Sequence, residues 1–110
     1  MPSRKDPSLY VEDATRLLGA QIQQGRHDRR WPAEELARRI GVSRPTVSKI
    51  ERGDPSVGIG TVFEAARLVG VPLFGADRAQ VRAELNRSRE HLALLPQRVR
   101  RPAGTVDDDF

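Results

Sequence analysis

The chain has 110 residues, a formal net charge of +4, 37% hydrophobic and 31% charged residues, and no cysteine. That length accommodates one small domain with tails but hardly a deep catalytic cleft as well. The missing thiols exclude a disulfide framework and any thiolate metal site. Arginine excess and a pI near 10.6 favour an anionic partner, with nucleic acid the first to consider.

Residues 1–9, with Pro2, Pro7 and the charged run Arg4-Lys5-Asp6, read as a flexible arm. Val11, Ala14, Leu17, Leu18 and Ile22 recur at helical spacing and predict a first helix over about 10–24, closed by Gly25 and a polar loop to Arg30. Trp31-Pro32 opens a second helix, because proline's missing N–H is not needed in a first turn and Glu34 and Glu35 suit the positive helix end. Leu36, Ala37 and Ile40 form its inner face, and Gly41 is the expected left-handed stop. Ser43 N-caps a third helix to about Arg52, with Val47 and Ile50 inward. After the turn Gly53-Asp54-Pro55-Ser56, a fourth helix spans about 60–69, with Val62, Phe63, Ala66 and Leu68 available to the core, and Gly70 ends it. Asp77 and Gln80 have capping-box spacing and start a fifth helix that reaches about Leu95 before Pro96. The expected fold is all-α with five helices and no strand: a domain over 10–75, a C-terminal helix over 76–96 and a flexible tail over 97–110.

The segment from Pro32 to Gly53 is the most informative. Its two short helices meet through a tight turn at Gly41, where a positive φ is needed and glycine adopts it cheaply. Ala37 lets the helices approach, and Leu36, Ile40, Val42, Val47 and Ile50 close a shared core. Arg44, Pro45, Thr46, Ser48 and Lys49 then face outward, the geometry that sets a helix N-terminus against base edges. Between Arg26 and Arg52 eight Arg or Lys stand against four Asp or Glu, in keeping with a DNA-facing surface.

Three motifs, Leu18-Gly-x-x-Ile22, Glu34-Glu-Leu-Ala-x-x-x-Gly-Val-Ser43 and Val47-Ser-x-Ile-Glu-x-Gly53, resemble the Cro/C1-type (XRE) helix-turn-helix family over roughly 18–73. The resemblance implies a lambda-repressor-like domain in which Arg44 and Lys49 occupy base-reading positions, their donors suiting guanine O6 and N7. Pro45 stands at another reading position but has no donor, so at most it touches a thymine methyl. Thr46 and Ser48 become candidates for base or phosphate contacts, and Ala33 for a backbone N–H to phosphate. Arg26 and Glu51 match positions the family joins by a structural salt bridge. Arg38 and Arg39 read equally as phosphate contacts and as a solvated face.

One such domain covers a half-site, so a homodimer on a palindromic operator of double-stranded DNA is expected. Val81, Leu85, Ser88, Leu92 and Leu95 of the fifth helix follow a packing-seam spacing, which serves either its own domain or a dimer. The end of the chain, Asp107-Asp108-Asp109-Phe110, resembles that of HipB-like antitoxins. That implies a repressor of its own operon that also holds a HipA-type serine/threonine kinase toxin, with those four residues as partner contacts. The alternatives are a stand-alone regulator of the same family, whose acidic end is dispensable, and an interaction adaptor without DNA binding. No nucleophile–base cluster, phosphate loop or ligand spacing is present, so no enzymatic activity, cofactor or metal is expected. His27 and His91 read as surface residues. With no signal-peptide apolar region and no span long enough to cross a bilayer, a cytoplasmic, nucleoid-associated protein is expected.

Overall fold

A computed structural model describes residues 7–99. The expectations for the outer arm and for Asp107, Asp108, Asp109 and Phe110 lie outside the described residues. Among these residues are five helices and no strand: α1 Leu9–Asp28, α2 Ala33–Ile40, α3 Arg44–Arg52, α4 Ile59–Leu68 and α5 Arg78–Ala93. Leu73 and Ala76 form one isolated bridge. The chain divides after Asp77 into two units, α1 to α4 in the first and α5 in the second.

The first unit closes on one apolar cluster: Ile22, Leu36, Ala37, Val47, Ile50, Ala65, Ala66 and Val69, with Leu18, Trp31, Ile40, Val42 and Val62 packed around it. Each large side chain removed from water in such a cluster contributes about 1.5–3 kcal/mol before entropy is counted. Helix ends fall where local chemistry puts them. The Ser8 hydroxyl accepts from the Val11 N–H at the start of α1, and the Ser43 hydroxyl accepts from the Thr46 N–H at the start of α3. Gly41 ends α2 at φ 86° and ψ 33°, and a Cβ added there would meet nothing within 4 Å, so conformation alone demands glycine.

The structure departs from the sequence expectation in α1. Gly25 does not close α1, which continues to Asp28. A Cβ at Gly25 would lie 2.6 Å from the Val69 carbonyl oxygen, so the glycine is present for close approach to the end of α4 and not as a helix stop. The face of α1 that packs is Leu18, Gly19, Ile22 and Gly25, whereas Val11 and Leu17 stand exposed. Among α4 residues, Ala65 joins Ala66 in the core, while Val62, Phe63 and Leu68 are half-buried. α5 has no buried residue, and Leu85, Leu92 and Leu95 are exposed.

These contacts separate two glycines that look alike in sequence. Gly25→Ala drives a methyl into Val69 and is expected to cost about 1–3 kcal/mol. Gly60→Ala, inside α4 with nothing within 4 Å of its would-be Cβ, is expected to be neutral or to stabilise by about 0.5–1 kcal/mol. Urea unfolding of the two variants measures the difference.

Candidate nucleic-acid interface

α3 rests on the core through Val47 and Ile50, both essentially sealed from water. Side chains on its other side therefore point away from the domain. Arg44 at the first helical position, Pro45, Ser48 and Lys49 are all exposed. Thr46 is half-buried, and its hydroxyl lies 3.0 Å from that of Ser43, inside the cap of the helix. Ala33 begins α2 and is half-buried against the core; the preceding Pro32 supplies no side-chain cap to that helix start.

The orientation of α3 depends on an ion pair with α1. Arg26 donates from Nε to Glu51 Oε2 at 2.6 Å and from Nη2 to Oε1 at 3.0 Å, and its Nη1 donates to the Trp31 carbonyl at 2.8 Å. Side-chain exposures of 11% and 8% place the pair where solvent screens little. The hydrogen bond it donates to Glu51 holds the Arg26 guanidinium more firmly protonated than a free one, against the opposing effect of burial. This is a structural fork.

The arginines of α2 are tied down as well. Arg38 and Arg39 both bond the same oxygen of Glu35, Arg39 at 2.6 Å. The Arg39 guanidinium also stacks over the Trp31 ring at 4.1 Å, with Arg29 on the same ring at 5.9 Å. Bonding from Arg39 first, and then Arg38, holds the Glu35 carboxyl below its ordinary value of 4.5. Arg44 reaches across the turn to Glu34, Nη1 to Oε2 at 3.2 Å. Lys49 and Arg52 make no ion pair within 4 Å among the described residues, although both act at longer range on Asp54. Asp54 sits low mainly because its carboxylate accepts from the Ser56 N–H.

Sequence reasoning singled out Glu34 and Glu35 only as favourable helix-start charges. The pairing of Glu35 with Arg38 and Arg39 was legible in the three- and four-residue spacing. The pairing of Glu34 with Arg44 was not, because ten positions and a turn separate them. A groove of about 710 Å³ lies between α1 and the segment 69–75, lined by Leu18, Gln21, Phe63 and Phe74 among others, and none of the residues expected to touch DNA borders it. Among the described residues there is no cluster of His, Cys, Asp or Glu suited to a metal, and no helix is long and apolar enough to cross a membrane.

Two short helices at a left-handed glycine turn, with the second presenting an exposed polar face, define a helix-turn-helix DNA-binding protein. A family model described as a helix-turn-helix domain matches residues 17–83, and the chain belongs to that family. It is 32% identical over 62 residues to the HTH-type transcriptional regulator SutR of Escherichia coli (strain K12), a match covering 56% of this chain. The chain spans about a third (35%) of that relative's length. No solved structure gives a significant match.

Glu51→Ala leaves Arg26 unpaired at a site nearly closed to solvent, and is expected to destabilise the domain by about 3–5 kcal/mol. Thermal unfolding of the variant beside the exposed-pair variant Glu84→Ala, expected to change stability by under about 1 kcal/mol, tests this.

Proposed function

We propose that the chain is a transcriptional repressor that binds a palindromic operator as a homodimer, reading base edges with the N-terminal half of α3. The observation that carries this reading is the division of α3 into a buried face, Val47 and Ile50, and an exposed face bearing Arg44, Pro45, Ser48 and Lys49. Arg44 and Lys49 supply the donors for guanine, and Pro45 offers an apolar contact. The first turn of α2, uncapped by any side chain and beginning at Ala33, suits a phosphate, and Thr46 and Ser48 of α3 are further polar candidates for base or phosphate contacts. Arg38 is exposed beside them, whereas Arg39, stacked on Trp31, is the poorer phosphate contact. The printed name of the E. coli relative, a transcriptional regulator, supports the regulatory role.

Dimerisation is assigned to α5, which buries none of its residues and exposes Leu85 and Leu92, with Leu95 exposed just beyond its end. Two such domains would set their recognition helices about one DNA turn, roughly 34 Å, apart. The finer role is that of an antitoxin, and its support is the sequence of the acidic, aromatic end alone, Asp107 to Phe110. A stand-alone regulator shares the DNA chemistry and needs no tail.

Replacing both Arg44 and Lys49 with alanine is expected to abolish selective binding to a duplex chosen by the protein from a randomised library, and to reduce the slope of log K against log salt by up to about 2. Fluorescence anisotropy across a potassium chloride series measures both, and an unchanged affinity removes these residues from the readout. Deleting Val106 to Phe110 is expected to leave operator binding intact while eliminating co-purification of a kinase-like partner from the native host. If a stoichiometric partner stays bound after the deletion, the tail is not its contact; if the full chain brings down none, the stand-alone regulator is the better reading.

A further inference from the structure

From the Glu34–Arg44 pair we infer that Glu34 is a specificity-determining residue of the recognition surface, a positioning group that reserves Arg44 for a base edge and denies it to phosphates. The inference rests on the DNA-reading function proposed above. Three observations carry it. The pair is not a stability device: both side chains are largely exposed, 66% and 61%, where an ion pair contributes little to folding. It nevertheless joins the start of α2 to the start of α3, the two helix ends that a helix-turn-helix presses against DNA. Moreover, a carboxylate at that place opposes binding to a polyanion, so on electrostatic grounds alone it weakens the surface it belongs to.

The cost has a return in selectivity. An unheld arginine at a helix N-terminus finds a phosphate on any sequence, and every such contact adds to affinity without discrimination. Arg44 Nη1 lies 3.2 Å from Glu34 Oε2, and a guanidinium held through Nη1 alone keeps its Nε–Nη2 edge as a two-donor fork. That fork suits guanine O6 and N7. The rotamer freedom of a long side chain is already restricted before DNA arrives, so less is lost on binding the right base pair. An A·T pair presents single acceptors, adenine N7 and thymine O4, in place of guanine's adjacent pair, and the carboxylate opposes a shift of Arg44 toward the backbone. Glu35 restrains Arg38 and Arg39 in the same manner. Indiscriminate phosphate attraction is thus left mainly to Arg52, which makes no ion pair within 4 Å among the described residues and only acts at longer range on Asp54.

The test compares the full-length wild type with Glu34→Ala, Glu34→Gln and Arg44→Ala on the library-selected duplex and on a scrambled duplex of the same composition, across a potassium chloride series. Glu34→Ala is expected to raise affinity for the scrambled duplex and to steepen its salt slope by about 0.9, one further phosphate neutralised. The ratio of selected to scrambled affinity is expected to fall by up to about fivefold, the most that an exposed ion pair supplies. Glu34→Gln, whose amide oxygen still accepts from Arg44, is expected to restore part of the ratio. In an Arg44→Ala background the Glu34 substitution should leave the ratio unchanged. Equal gains on both duplexes, or an effect that persists without Arg44, would overturn the inference, because Glu34 would then act as a bulk charge. A wild type that selects no sequence at all would instead remove the DNA-reading function, and this inference with it.

Discussion

The bidentate bridge from Arg26 to Glu51, with the third donor of the same guanidinium on the Trp31 carbonyl, joins the end of α1, the start of the α2 approach and the last turn of α3 in one buried knot. Around it the backbones themselves touch. A Cβ at Gly19 would lie 2.5 Å from the Ile50 carbonyl oxygen, and one at Gly53 would lie 2.5 Å from the Arg16 Cα. α1 therefore grips the C-terminal half of α3 without side chains in between. From Arg44 to Lys49 only Val47 is sealed in the core, and Arg44, Pro45, Ser48 and Lys49 face outward. A helix clamped at its C-terminal end, with polar side chains outward along the rest, fits the base-reading role proposed for α3.

The charges of the surface follow a second pattern. A net charge of +4 on 110 residues implies attraction to a polyanion, yet several arginines near the recognition helix are already engaged. Arg26 is committed to Glu51, Arg29 donates to the Val69 carbonyl, Arg39 is stacked and bonded, and Arg44 is held by Glu34. Positive charge is present in abundance, but its geometry is prescribed. Such restraint favours discrimination over raw affinity, in line with a regulator that must find few sites among many.

The sequence and the structure agree best where the determining forces are local. Helical periodicity placed α2, α3 and α4, hydroxyl caps placed the start of α3, and Gly41 marked the turn, because each depends on residues within a few positions of one another. The exposed face of α3 was legible for the same reason, since inward-facing Val47 and Ile50 leave Arg44, Pro45, Ser48 and Lys49 on the outside. Gly25 is the instructive failure. A glycine after a helical run reads as a stop, and only the presence of Val69, forty-four positions later in the chain, turns it into a packing contact.

By itself, then, the sequence determined the all-α class, the helix-turn-helix and its polar face, through spacing and capping that operate over a turn or two of helix. Only tertiary structure decided which half of α1 is buried, leaving Leu17 exposed while Ile22 is sealed. Tertiary structure also brought Trp31 beneath Arg39 and set Glu34 against Arg44. Those contacts arise when α1, α2 and α3 close on a common core, and the distances they depend on exist only once the chain has folded.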